Sequence, residues 1–520
     1  MGFSVRILWS MLKLFLLIFW ITSNGLAAQK ETFTFRIRSE VQTLDWNLAH
    51  TFVEADLMLN LMEGLVAFNE RSELVGALAL RWEVSSDRKK YTFFLKPGVT
   101  WSDGLPLKAQ DFVYSWKRLL TQMTVAPYAS LLFDLVGAED YFRGTLTDFR
   151  RVGVQALDDR TLQVQLRAPI ANWIQILSFW ATFPMRQDIL EKYENSRWQV
   201  PGRMVTLGPY MLESHDWNAR IVLKANPRYH GTRGNVKQVV VHIIPEDSKA
   251  LQLYEQGGLD CLSDWMASDL KTWMGRADFK KYPLWKIGFL GFSVKHYPVS
   301  NVYVRKAIAQ ALDRSKLAAL LPSVQPAFSL IPSDWMDFKI GFRFDPLAAR
   351  MDWKRSGVEG NTLRLHYLLP DWERSSTMAK WIQTELQNNL HLQVELHPLP
   401  HQTYRQHLTL ESHDLWDFAW KADYLDPDTF LSLFLKNSGN NMTGWGRADY
   451  DRLVLQARVE SSLVARKKKY LEAQKILLEK EVVVIPIYYD SNLVLVKPRV
   501  QNLRFNGLGS FYLKDVSVSF

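Results

Sequence analysis

The chain has 520 residues, 47% hydrophobic and 22% charged; it is too long for one ordinary core and too apolar for disorder, so about two to four globular lobes are expected. Its formal net charge is +9, but Lys and Arg are dispersed, and with the export signal described next this excludes nucleic acid as a partner. A single cysteine, Cys261, excludes an intramolecular disulfide framework.

The first 28 residues read as a secretory signal. Arg6 and Lys13 precede or interrupt an apolar run through Ile21, and the small-residue site Gly25-Leu26-Ala27-Ala28 follows. The uninterrupted stretch, Leu14 to Ile21, is far shorter than the roughly 20 residues that span a bilayer. Cleavage after Ala27 or Ala28 is therefore expected, and removing Arg6 and Lys13 lowers the charge to +7. No Cys stands at the cleavage site to take lipid, so a soluble periplasmic protein is expected.

"ETFTFRIRSE" turns Phe33, Phe35 and Ile37 to one face at period two, which predicts a strand. "VEADLMLNLMEGL" stripes Ala55, Met58, Leu59 and Met62 on a helix that Gly64 should stop. A β-rich block follows: two strands around the polar turn Ser85 to Lys89, an Asp103-Gly104 turn, an amphipathic helix through Phe112, Trp116 and Leu119, and the hairpin "VGVQALDDRTLQVQL". Strands "RIVLKANPRYH" and "KQVVVHIIP" precede a helix closed by Gly257-Gly258. From about 286 to 490 strands such as "TLRLHYLL", "LQVELHPL", "FAWKADY" and the all-apolar "EVVVIPIYY" alternate with amphipathic helices, the pattern of a sheet covered on both faces. Arg466 to Lys469 open one of those helices and read as its solvated face. No repeat or low-complexity linker separates the blocks, so the two α/β lobes should exchange strands.

Catalytic signatures are missing: there is no Gly-x-Ser-x-Gly elbow, Walker loop, His-Glu-x-x-His helix or paired-Cys spacing. His391, His397, His401 and His407 cluster in sequence, but Pro398 and Pro400 break the helix that would align two of them, so they read as loop histidines and no metal is assigned. Asp423, Asp426 and Asp428 lack the Gly and distal Glu of a calcium loop and read as a turn opening a helix. No cofactor is implied, and binding leads over catalysis.

In a strand, Asp417, Ala419, Lys421 and Asp423 would share one face, with Phe418, Trp420 and Ala422 on the other. A cleft-edge strand can pair with an extended peptide, and an acid there suits a cationic ligand end. On the residues alone Asp423 serves equally as a turn or capping acid.

Stretches along the whole mature chain, among them "RSEVQTLDWN", "LMEGLVAFN", "YTFFLKPGVTWSDGLPLKAQDFVYSWKRLL", "NVYVRKAIAQALDR", "WKADYLDPDTFL" and "IPIYYDSNLVLVKP", resemble in family order the periplasmic oligopeptide-binding proteins of ABC importers, a family that includes dipeptide, murein-peptide, nickel and haem binders. The resemblance implies an α/β fold of two lobes joined by a hinge, with an extra β-rich domain inserted in the N-terminal lobe. By correspondence lobe I comprises 29–62, 187–285 and 491–520, the β-rich domain 63–186, and the other lobe 286–490, with crossings near Lys286 and Tyr489. It implies a monomer, a peptide ligand, and an ABC permease in the inner membrane as partner. Asp423 matches the family aspartate that holds the peptide amine. His50, Thr51 and Phe52 match a peptide-pairing strand acting through backbone groups. Tyr128, Trp420 and His401 match positions near the ligand, with Ala419 and Lys421 beside them. Family arginines that hold the peptide carboxylate read Leu408 and Asp417 here; Arg374 lies beside another carboxylate-binding position, and Lys421 stands where the family is uncharged. The expected function is peptide binding without catalysis. The alternatives are the same fold taking a nickel complex, haem or another cationic small molecule, and, from a different class, a secreted hydrolase.

Overall fold

A computed structural model describes residues 31–519 except 70–72, 194, 264, 266–269, 334, 336–337, 339, 359–362 and 409–412. The expected signal segment, 1–28, lies outside the described residues. Among those described, no helix is long and apolar enough to cross a membrane.

One eleven-stranded sheet runs through both lobes. Its order is Gln393–Leu399, Arg364–Pro370, Leu415–Lys421, Phe279–Phe292, Val484–Val496, Cys261–Leu262, Thr32–Ile37, Gln238–Ile243, Arg220–Ala225 and Tyr210–Asp216, with Gln325–Pro326 added on Val484–Val496. The expected strand of Phe33, Phe35 and Ile37 lies in it, parallel to Gln238–Ile243. A separate four-stranded antiparallel sheet, Ala79–Val84, Lys90–Leu95, Thr161–Gln165 and Val154–Asp158, forms the β-rich part. Its buried Tyr91, Phe93 and Leu162 belong to the same continuous core as Phe33, Val239 and Val241. The β-rich block is thus fused to the N-terminal lobe and has no core of its own.

The lobes exchange two long antiparallel strands, Phe279–Phe292 and Val484–Val496. Phe279 to Pro283 pair with Leu495 to Ser491, the ladder then slips, and Ile287 to Gly291 pair with Tyr489 to Val484. The break falls where Pro283 lacks a donor and where Trp285 leaves the ladder, its N–H donating to Gly507 O (2.7 Å) and its carbonyl accepting from Ala422 N (2.8 Å). Lys286 and Tyr489, near which the crossings are expected, flank this register slip. Beyond it the sheet is covered on both faces. Leu290, Leu365, Tyr367 and Ile485 face one helical layer with Ile308, Trp381 and Ile382, and Phe289 and Trp416 face another with Phe430, Tyr450 and Tyr470.

Local chemistry moved several boundaries. The first helix is Phe52–Leu61 and ends at Met62, in extended conformation, ahead of Gly64. Gly64 instead admits close packing, since a Cβ there would lie 2.6 Å from the Phe183 ring. The apolar stripe from Val302 to Leu321 makes two of the amphipathic helices, Val302–Ala311 and Arg314–Leu320, because Asp313 caps the second by accepting from Ser315 N. The helix expected at 466–480 is Leu463–Lys475 followed by a π turn, Ile476–Lys480.

Candidate functional site

Leu415–Lys421 lies antiparallel to the crossing strand, with Lys421 opposite Lys286 and Ala419 opposite Gly288. The ladder ends there because its partner peels away at Trp285. Asp423 therefore stands two residues past the strand, which corrects the expectation that it is a strand residue. Its N–H donates to Thr429 Oγ1 at 3.1 Å, and the same hydroxyl takes the indole N–H of Trp420 at 3.5 Å. The Trp420 ring stacks on Phe418 (centroids 6.2 Å apart, 22°). On its other side, Leu415–Lys421 meets Arg364–Pro370 only at Leu415 and Trp416, so among the described residues no strand continues that ladder beside the exposed Ala419.

Three acids crowd this turn, and two are neutralised. Asp426 holds Arg466 at 2.6 Å, and Asp428 holds Arg458 at 2.8 Å and accepts from the Tyr424 hydroxyl. Among the described residues the Asp423 carboxylate faces no cation. Lys421 does not pair with it; its ammonium lies against Gly509, where a Cβ would be 3.4 Å from Nζ. Burial pushes the Asp423 carboxyl up to about 6, opposed by the Thr429 hydroxyl. An ionised carboxylate in this setting has one hydroxyl but no counter-charge and would gain from a cationic partner.

The facing wall comes from the N-terminal half. Tyr128 meets Phe179 (4.7 Å, 67°) and Trp180 (5.7 Å, 87°) edge-on, and Trp180 Nε1 donates to Ala49 O at 3.1 Å. Burial, then the nearby Asp423 and Glu54 carboxylates, push the Tyr128 phenol up to about 12. The Asp423 carboxylate of the other half is thus within electrostatic reach of the Tyr128 phenol. Two further contacts bridge the halves: Ala171 N donates to Arg458 O at 2.8 Å, and Gly507 approaches both Trp285 and Leu425.

His50, Thr51 and Phe52 require a correction, because they form no strand. Thr51 caps the helix Phe52–Leu61 in a capping box, with Glu54 N donating to Thr51 Oγ1 (3.4 Å). The amides of His50 and Thr51 donate to Glu54 Oε2 at 2.7 and 2.9 Å. They are therefore engaged within the chain, while the His50 side chain is exposed. The side chains of Phe52 and His401 lie outside the described residues. Arg374 is also engaged: it pairs with buried Asp490, which Lys286 Nζ reaches at 2.8 Å, and it donates to Ser323 Oγ at 3.3 Å. Burial alone would raise the Asp490 carboxyl, yet these two cations hold it below its ordinary value. Leu408 is buried in the apolar layer. Asp417 is buried with one carboxylate oxygen on Ser375 Oγ (2.8 Å) and the other without a partner, and burial pushes it up to about 7.

Glu54, Thr429, Phe179, Trp180 and Asp490 were not anticipated as site residues. Only Glu54 left a local signal, the Thr-x-x-Glu of the capping box.

A two-lobed α/β fold with a shared strand pair and an inserted β-rich part is the architecture of a binding protein. Residues 73–442 match the family model of bacterial extracellular solute-binding proteins, family 5 (middle), and the chain belongs to that family. It is 28% identical over 506 residues to the periplasmic murein peptide-binding protein MppA of Escherichia coli, covering 94% of this chain and 93% of MppA. It is also 28% identical over 503 residues to the probable deoxycholate-binding periplasmic protein YgiS of Escherichia coli, covering 92% of each. The solved unliganded open form of MppA superposes with TM-score 0.81 at 25% identity, covering 94% of this chain and 97% of that one. Haemophilus influenzae OppA in complex with RPPGFSPFR superposes with TM-score 0.76 at 25% identity, covering 94% and 99%.

Proposed function

We propose that this chain is the periplasmic binding component of an ABC importer and takes peptides between its lobes for delivery to an inner-membrane permease. The proposed division is 29–62, 187–285 and 491–520 for the first lobe, 63–186 for the β-rich domain and 286–490 for the second lobe, following an export signal at 1–28. The observation that carries the reading is Asp423, the one acid of its turn without a cation among the described residues, opposite Tyr128. A peptide laid beside Ala419 would add main-chain hydrogen bonds whatever its sequence, and its α-ammonium would meet Asp423. Contacts with both lobes then favour the closed arrangement, so binding and closure are one equilibrium. Relatives named for murein peptides and a neighbour in complex with RPPGFSPFR support the ligand class. Titration with mixed tri- to pentapeptides, followed by tryptophan fluorescence and melting temperature, is the test; no response from any pool would overturn the reading.

A second reading keeps the fold and changes the ligand to a cationic small molecule or a metal or haem complex. It is favoured by Asp417, an acid with an unpartnered oxygen in place of a family arginine. Native mass spectrometry of the purified protein separates the two by the mass of what it carries.

A further inference from the structure

The outer edge of the same sheet carries another constellation. Arg364–Pro370 and Gln393–Leu399 run parallel, with His366 opposite Glu395 and Leu368 opposite His397. Side chains alternate along a strand, so Glu395 and His397 share a face, and the register brings His366 onto it. His366 Nδ1 lies 3.0 Å from His397 Nε2. Glu395 oxygens lie 3.6 Å from His397 Nε2 and 4.0 Å from His366 Nδ1, and one donor atom from each residue lies within 4.8 Å of the others. A tetrahedral ion with bonds of about 2.0–2.1 Å spaces its donors by roughly 3.3 Å. Small side-chain rotations therefore reach that geometry, and half-exposure of all three residues (side chains 39–48%) leaves room for them and for water in the remaining position.

We propose that His366, Glu395 and His397 form a site for a borderline divalent transition-metal ion of the zinc class, separate from the interlobe cleft. Two imidazoles and one carboxylate suit such an ion, whereas calcium and magnesium prefer oxygen donors throughout. Without metal, nitrogens 3.0 Å apart share one proton between them; an ion would accept both lone pairs. The chain holds the site in place. His366 N–H donates to Asp414 Oδ2 at 2.8 Å, Asp414 N donates to His366 O at 2.9 Å, and His296 Nδ1 lies 2.8 Å from the other Asp414 oxygen. Asp414 is seven residues before Lys421, about 23 Å along a strand, so this corner is remote from Asp423. A bound ion fastens Gln393–Leu399, an edge strand among the described residues, to its neighbour Arg364–Pro370.

The test is zinc titration of untagged, chelator-stripped mature protein against a chromophoric chelator. One zinc equivalent should bind and raise the melting temperature. His366→Gln, Glu395→Gln and His397→Gln should each weaken binding at least about tenfold, and His391→Gln should not. No binding by the parent, or parent-like binding by the His366→Gln/His397→Gln double variant, overturns the site. Should the metal-free variants fail to fold, spin resonance of the copper-loaded parent decides. Coupling to two imidazole nitrogens is expected, and fewer than two overturns the assignment.

Discussion

Asp423→Asn separates a ligand-receiving acid from a structural one, because the two roles predict opposite changes in stability. Burial holds the Asp423 carboxyl at about 6, against an ordinary value of 3.8. With the folded value the higher, the folded protein binds more protons than the unfolded chain between those values. Stability therefore falls as pH rises through that window, and the cost is fully present above about 6 and absent well below 4. The interval corresponds to about 3 kcal/mol; solvent reaches part of the carboxylate, which reduces the expected cost to ~1–2 kcal/mol. Asparagine keeps the shape and removes the charge. The variant should exceed its parent in urea stability by that amount at pH 7.5 and match it near pH 3. By calorimetry, the tripeptide that binds the parent most tightly should lose ~2 kcal/mol or more in the variant, because its ammonium no longer meets a charge. N-acetylation of that tripeptide should weaken binding to the parent and add little in the variant. Parent affinity should fall by up to about tenfold per pH unit below 6, as protons compete for the same carboxylate. A variant that is less stable and binds unchanged would identify Asp423 as a turn acid and refute the reasoning.

Asp490→Asn should cost ~2–4 kcal/mol in urea unfolding, since it leaves Lys286 and Arg374 at the crossing without their shared counter-charge. The folded value of Asp490 is depressed, so its contribution is present above 3.8 and lost as pH falls through the lower folded value, which acid titration of parent and variant would reveal as converging stabilities. Gly288→Ala places a Cβ 2.2 Å from the buried Tyr488 ring and should destabilise by ~1–3 kcal/mol, read as a lower urea midpoint with unchanged slope. Glu54→Gln should cost ~2–3 kcal/mol and exceed Thr51→Ala at ~1 kcal/mol, because Glu54 accepts the amides of His50, Thr51, Gln42 and Thr43 and Thr51 Oγ1 accepts only one. Melting temperatures of the two variants compare them.

Much of the fold was legible because its signals are local. The alternation of Phe33, Phe35 and Ile37, the turn at Ser85 to Lys89 and the apolar run before Tyr489 each report their own strand. Cap chemistry overrode the sequence reading at two points. The Thr51-to-Glu54 box made a helix start of what the resemblance implied was a strand, and Asp313 divided one apolar stripe into two helices. Features built by register were not legible. The slip between Pro283 and Ile287 depends on what Trp285 meets in another segment, and the His366–Glu395–His397 group depends on two strands aligning, with the histidines 31 residues apart.

The same distinction decides what Asp423 is for. Within the stretch Asp423 to Asp428 three carboxylates look equivalent, and each could anchor a ligand or support a turn. Arg458 and Arg466, 30 and 40 residues further on, take Asp428 and Asp426 respectively. Both of those acids are buried against helices of the second lobe, where an unpaired charge would be costly at all times. Asp423 is placed differently: it stands just past the end of its strand, within electrostatic reach of Tyr128, and in the proposed reading its missing partner arrives from the cleft. A charge left unsatisfied on a closing surface makes the closed arrangement unfavourable when empty and favourable when a cation is present. The proposed importer role needs that coupling, and with the other two acids held by arginines Asp423 is the acid of this turn proposed to supply it.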